Sequence, residues 1–331
     1  MQGVEVDKDT KFLWGSNEFT VDVRKSIARS MKENTLSQDF QIENNFLGCD
    51  PSFGIGKQLT IHHSKGNTVL NEHETVNFQF TQPLEIIFPI SKPKIYIYFH
   101  ICQIGIWKTV VIEIFNLIVT SGLLQVVDEL CLGVLGTDME SIREIFGSEP
   151  KVRIVMVGFD NSVYERATLR CLHERARLEE CRILYLHSKG VTHPEWARER
   201  IKAWTDYMCY WAIERWQTCL RVLEFSDTVG TEWLADHYRG NFWWANSDYL
   251  KTLSSSIGPN YTDPEYWIGT GTKGTIFNFM CSNMYPYHHV IPKESYCGKD
   301  QDPTFIYGQI IWLPQKQTTS CVVHRTTGQL K

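Results

Sequence analysis

Arg182-Ile-Leu-Tyr-Leu-His187-Ser188-Lys189-Gly190 is an apolar run that breaks into an imidazole, a hydroxyl, an ammonium and a glycine. A strand this apolar is buried on both faces, as in a parallel sheet. Ligands of open α/β sheets bind outside the carboxyl ends of the strands. Lys189 can neutralise a phosphate there, and Gly190 allows close backbone approach. Equally, the strand can simply end in solvent at a Gly turn. Residue types alone leave both readings open.

Working outward, Lys94–His100, Glu129–Leu135 and Lys151–Val157 read as further strands. Helical patterns lie between them, over 107–126, 138–146 and from Asn161 or Ser162 to Arg177. Strands alternating with helices predict a mostly parallel α/β sheet with helices on both faces. A long helix follows from Pro194 to Glu224, then short strands over 227–233 and 240–245. The stretch 1–93 differs, with short alternating segments separated by Gly, Pro, Asn and Asp, and reads as a small β-rich module. Its Gly48–Lys57 loop is not a phosphate loop, because Gln58 and strand-like residues follow the lysine. The expected division is therefore 1–93, a β-rich accessory module; 94–290, the α/β domain; and 291–331, an irregular extension. Within that extension, 305–313 is apolar enough for an edge strand.

Composition narrows the function classes. A net charge of −5 with no block of like charges argues against a large nucleic-acid footprint. The ten cysteines are scattered without a C-x-x-C pair, so zinc-ribbon and redox motifs are not supported. They suit reduced, mostly buried thiols. The most apolar run, Ile101–Leu124, is interrupted by Lys108, Glu113 and Asn116, which suits a buried helix better than a membrane span. With no signal-peptide pattern at the start, the expectation is a soluble cytoplasmic protein.

Strand one ends at His100-Ile-Cys-Gln103 and strand three at Gly158-Phe-Asp160, which brings His100, Gln103 and Asp160 to the same rim as His187. Trp243 and Trp244 are neighbours on a strand, so they face opposite ways. One can pack inward while the other lines a sugar site, or both can serve packing. Glu265 follows Pro264 and precedes an aromatic pair, a setting for a general base or for a solvated loop acid. His288-His289 and His62-His63 are adjacent pairs whose side chains diverge, so neither suits a metal.

Taken together, Tyr185–Val191, Trp204 and Met208, Asp227–Gly230, His237–Asp248 and Glu265–Gly269 carry a resemblance. In that order and spacing they are similar to a group of nucleotide-sugar glycosyltransferases with the GT-A fold, found in large DNA viruses, bacteria and some eukaryotes. The likeness covers about 95–286. It implies a GT-A-like, Rossmann-type sheet and a UDP- or GDP-sugar donor held by His100, Gln103, Asp160, His187, Ser188, Lys189 and Gly190. It implies a glycan or glycoprotein acceptor at Asn241, Trp243 and Trp244, and Glu265 as the base of an inverting transfer. The family usually has an Asp-x-Asp metal motif where this chain has His187-Ser188-Lys189. Either Lys189, with His187, replaces the metal, or a divalent cation (Mn²⁺ or Mg²⁺) uses Asp227 or another acid. The missing motif also keeps a rival open: a non-catalytic glycan- or nucleotide-binding protein. A nucleotidyltransferase would need a Gly-rich basic loop after strand one, which His100–Gly105 does not supply.

Overall fold

The computed structural model describes residues 2–16, 19–29, 31, 36–47, 49–52, 54–87, 93–280, 285, 288–297, 305–313 and 316–324. Residues 88–92, just before the expected boundary at 93/94, part of the Gly48–Lys57 loop and Cys281 lie outside them.

The large sheet is built on β1 (Lys94–Cys102), β2 (Glu129–Leu135), β3 (Val152–Gly158), β4 (Cys181–His187), β5 (Thr228–Gly230), β6 (Trp243–Asn246), β7 (Gly274–Asn278), β8 (Phe305–Leu313) and β9 (Gln317–His324). Its order is β3-β2-β1-β4-β6-β5-β7-β8-β9, and Cys49–Asp50 adds a tenth short strand beside β9. The expectation of a mostly parallel, GT-A-like Rossmann-type sheet is corrected here. Only β3, β2, β1 and β4 run parallel in a row, with β5 and β7 a separate parallel pair. Strand β6 is antiparallel to both β4 and β5, and β7, β8 and β9 alternate direction. The sheet is mixed. The cause lies in the connections. Residues 231–242, between β5 and β6, hold a two-stranded ladder instead of a crossover helix, and parallel neighbours need such a crossover. The tail, expected to be irregular, supplies the β8–β9 hairpin, and β8 is an interior strand rather than an edge.

The stretch before β1 forms two small sheets. One pairs Gln2–Val6 parallel and Ser37–Gln41 antiparallel to Thr75–Phe80; the other is an antiparallel set of Phe19–Asp22, Lys11–Ser16, Gln58–His63 and Gly66–Asn71.

The helices of eight or more residues among the described residues are α1 (Trp107–Thr120), α2 (Met139–Phe146), α3 (Arg166–Leu178) and α4 (Arg198–Cys209). Helix α2 is capped by Asp138, whose carboxylate accepts from Ser141 N at 3.1 Å. A five-residue π turn, Tyr210–Glu214, follows α4, and a further helical turn runs over Trp216–Val222. None of the helices among the described residues is long and apolar enough to cross a membrane.

Alternation along the central strands sends their apolar side chains into two cores. In β1, Ile95, Ile97, Phe99 and Ile101 enter one core, while Tyr96 and Tyr98 enter the other. Trp244 joins the first core and Trp243 the second, and both are fully buried. Trp244 Nε1 donates to the Ala212 carbonyl of the π turn at 2.8 Å, and Trp243 stacks on Tyr185 with centroids 5.2 Å apart. Truncating Trp244 to Ala should therefore cost about 3–5 kcal/mol of stability, read as a lowered urea midpoint. A change below about 1 kcal/mol would contradict its place in the core.

Candidate functional site

Strand β4 ends where β6 begins, and the site is built around that junction. His187 lies opposite His100 of β1. Next to it, the chain at 240–241 takes two positive-φ residues in succession, Gly240 at 90° and Asn241 at 61°. Glycine is required at 240 for a second reason: a Cβ there would stand 2.4 Å from Met208 Sδ and 2.9 Å from Trp204 Cζ2 of α4. This turn exposes polar groups in three directions. Gly240 N donates to Glu265 Oε1, and the Gly240 carbonyl accepts from His187 Nε2 at 3.1 Å. Asn241 Nδ2 donates to Glu165 Oε2 at 2.7 Å, while Asn241 Oδ1 accepts from Trp243 Nε1 at 2.8 Å.

Glu165, at the start of α3, is the residue that the sequence reading missed. Its Oε2 also accepts from Tyr185 OH at 2.6 Å, and its Oε1 lies 3.6 Å from His187 Nδ1. Because a carbonyl can only accept, the neutral His187 ring carries its proton on Nε2. Its Nδ1 then faces Glu165 without a proton. Burial, reinforced by the Lys189 charge, pushes His187 down to about 3.

Lys189 is buried, with its Nζ 4.2 Å from the centre of the Trp204 ring. Among the described residues no carboxylate forms an ion pair with it. Burial lowers its pKa, an effect that the charges of Glu265 and Glu165 oppose. Gly190, at φ 83°, packs so closely on Ile201 that a Cβ would stand 2.2 Å from Cγ2. A cavity of about 600 Å³ borders Lys189 and Gly190, with Ile106, Val110, Ile114 and Ile201 among its apolar walls. His237 completes the group. It is buried, its Nδ1 has no hydrogen-bond partner among the described residues, and its ring lies 4.2 Å from that of Tyr266, next to Glu265.

The remaining expected residues have other work. His100 is enclosed, its Nδ1 2.8 Å from Thr168 Oγ1, and burial lowers it to about 4. Gln103 spends both ends of its amide on the Asp138 backbone, at 2.7 and 2.9 Å. Ser188 Oγ accepts from Cys102 N at 2.9 Å. Asp160 caps a short turn through Ser162 N. These three hold loops in place through these bonds. Trp243 and Trp244 are core residues, so the acceptor platform expected of them is corrected; Asn241 is buried and holds Glu165. Asp227 is also misplaced for a metal at this loop. Its backbone carbonyl bonds Asn246, the partner of Arg182, and His187 lies five residues further along β4, about 16 Å away. Its carboxylate accepts from Thr275 N and Oγ1 at 2.8 and 3.0 Å. No group of three or more His, Cys, Asp or Glu among the described residues is arranged to hold a metal ion.

A family model described as a domain of unknown function (DUF8361) matches residues 129–259. The match spans β2 to the loop after β6, including the His187–Gly190 and Gly240–Asn241 segments, and stops short of Glu265. No curated protein matches the chain.

Two outcomes follow from this geometry. The unfolded chain protonates histidine near pH 6.5, whereas His187 and His100 stay neutral in the fold down to about 3 and 4. The unfolded state then binds more protons, so stability is lost as pH falls from about 6.5 towards 4. Melting temperature measured across that range should fall, and less steeply in His187→Gln. An equal slope in the variant would contradict the assignment. Separately, Gly240→Ala should destabilise by about 1–3 kcal/mol in a denaturation series, since it adds both a steric clash and backbone strain.

Proposed function

We propose that the chain is a glycosyltransferase that moves a sugar from a nucleotide-sugar donor, a UDP- or GDP-sugar, to a hydroxyl of a glycan or glycoprotein. The observation that carries this reading is the Lys189 ammonium, buried without a carboxylate ion pair among the described residues, at the carboxyl end of a sheet and within electrostatic range of Glu265. A fixed cation of this kind meets the charge that develops on a leaving diphosphate. A cavity of about 600 Å³ between α1 and α4 borders Lys189 and is in the size range of small-molecule sites; Glu265 and Glu165 are not among its walls.

In this reading Glu265 takes the proton of the acceptor hydroxyl as its oxygen bonds to the anomeric carbon. The bond from that carbon to the diphosphate oxygen breaks, and its electron pair leaves with the nucleoside diphosphate beside Lys189. The Gly240 N–H holds one oxygen of Glu265, leaving the other for the proton. Lys189 thus does without a metal at this loop. The rival reading is a non-catalytic glycan- or nucleotide-binding protein, which would bind its ligand without turnover. The nine described cysteines are free thiols, six of them buried, which supports a reducing, cytoplasmic location.

The test is a thermal-shift titration with UDP- and GDP-sugars, with Mn²⁺ and with EDTA. One nucleotide class should stabilise the protein equally in EDTA, and Lys189→Met should weaken it about tenfold or more. Glu265→Gln should lower kcat by roughly 10²–10⁴ while leaving donor binding in place. If neither nucleotide class stabilises the wild type, the transferase reading falls. Unchanged turnover in Glu265→Gln would remove Glu265 as the base.

A further inference from the structure

With Trp243 and Trp244 enclosed, the exposed aromatic surface of the site belongs to tyrosines. Tyr261 is 67% exposed and Tyr266 43%. Tyr164 meets Tyr261 edge-on, with ring centres 5.1 Å apart. Two of the three adjoin a site carboxylate in the chain: Tyr164 precedes Glu165, and Tyr266 follows Glu265.

These rings sit on well-anchored backbone. Arg166 is buried and donates from Nε to the Gly258 carbonyl at 2.7 Å, from Nη1 to that of Val163 at 3.1 Å, and from Nη2 to that of Asn260. One guanidinium therefore ties the loop before Tyr261 to the turn before Tyr164. Asn260 N also donates to Asp263 Oδ2 at 2.7 Å, and His237 braces Tyr266. An exposed ring on a fixed loop loses little side-chain entropy when a ligand covers it.

The carboxylates identify the ligand. Both Glu165 and Glu265 act on the Tyr261 phenol, raising it in the same direction as its burial, so both lie within electrostatic range. Each has one oxygen held by protein donors: Glu165 Oε2 by Tyr185 and Asn241, and Glu265 Oε1 by Gly240. Their other oxygens accept no hydrogen bond from the described residues. Aromatic faces alone would suit any apolar partner, and a phosphate would be repelled by two carboxylates. A ring with an apolar C–H face and hydroxyl donors at its edge satisfies both features.

We propose that Tyr261, met edge-on by Tyr164, is a stacking platform for a neutral pyranose whose hydroxyls donate to Glu165 and Glu265. Its role as the acceptor subsite rests on the transferase reading; the binding itself does not.

The experiment is a saturation-transfer NMR titration with methyl glucoside, galactoside and mannoside and their disaccharides, run beside UDP and GDP. The wild type should bind at least one glycoside, with the protons of one ring face receiving most saturation. Tyr261→Ala should weaken that binding about tenfold, Tyr261→Phe should preserve it, and nucleotide binding should be the same in both. Because Tyr261 is exposed, neither change threatens the fold, which a melting curve checks. Absence of glycoside binding by the wild type, or undiminished binding by Tyr261→Ala, overturns the platform. So does a selective loss of UDP or GDP in that variant, which would make the ring a nucleobase contact. Glycoside binding without any nucleotide binding upholds the platform and removes the transferase reading.

Discussion

The turn at Gly240–Asn241 is the constraint on which the site depends. Two successive positive-φ residues point one N–H, one carbonyl and one amide side chain at Glu265, His187 and Glu165. These residues come from segments distant in sequence, and the turn gives them a common partner. The turn is itself pressed onto Trp204 and Met208, and Trp204 carries the Lys189 ammonium on its ring. The cation and the carboxylates are thus positioned by opposite sides of the same few atoms. Relaxing that contact would alter both together.

Electrostatically the site is a cation and two carboxylates held close under low exposure. Burial alone disfavours every charge, pushing Lys189 and His187 down. Donors from Tyr185, Asn241 and Gly240 compensate the carboxylates, while an aromatic face compensates the ammonium. None of the three charges is neutralised by a direct ion pair between Lys189 and a carboxylate.

Much of this was legible in the sequence, for identifiable reasons. Where an apolar strand ends in polar residues, topology alone directs attention to the loop, so His187, Lys189 and Gly190 stood out; the setting of Glu265 left a base and a solvated loop acid both open, and only the resemblance singled it out. Sheet direction was not legible, because β5 and β6 are only three and four residues long and carry no periodicity that tells parallel from antiparallel. Trp243 and Trp244 face opposite ways, as alternation requires, but composition does not show that both faces of the sheet are covered. Gln103, Ser188 and Asp160 have the right chemistry at the right rim, and each also bonds nearby backbone, which the sequence does not show. Glu165 went unseen because it lies among ordinary polar residues at a helix start; its importance comes only from Tyr185 and Asn241, which meet it through the fold.

The π turn at 210–214 has a consequence for how the chain tolerates change. Trp204, Met208, Ala212, Trp216 and Leu220 are buried at four-residue intervals. On a regular α-helix such a series would drift about 160° round the axis from first to last. The widened turn takes back part of that rotation, so one continuous stretch serves two clients: Trp204 and Met208 beneath the site, and Trp216, bonded to the Ser121 carbonyl, in the body of the protein. The segment behaves as a phase adapter whose setting is a single residue. Substitutions within it are local events, whereas losing or gaining one residue there would rotate the site's footing relative to the core, a change of gearing that no side-chain repair nearby can reverse.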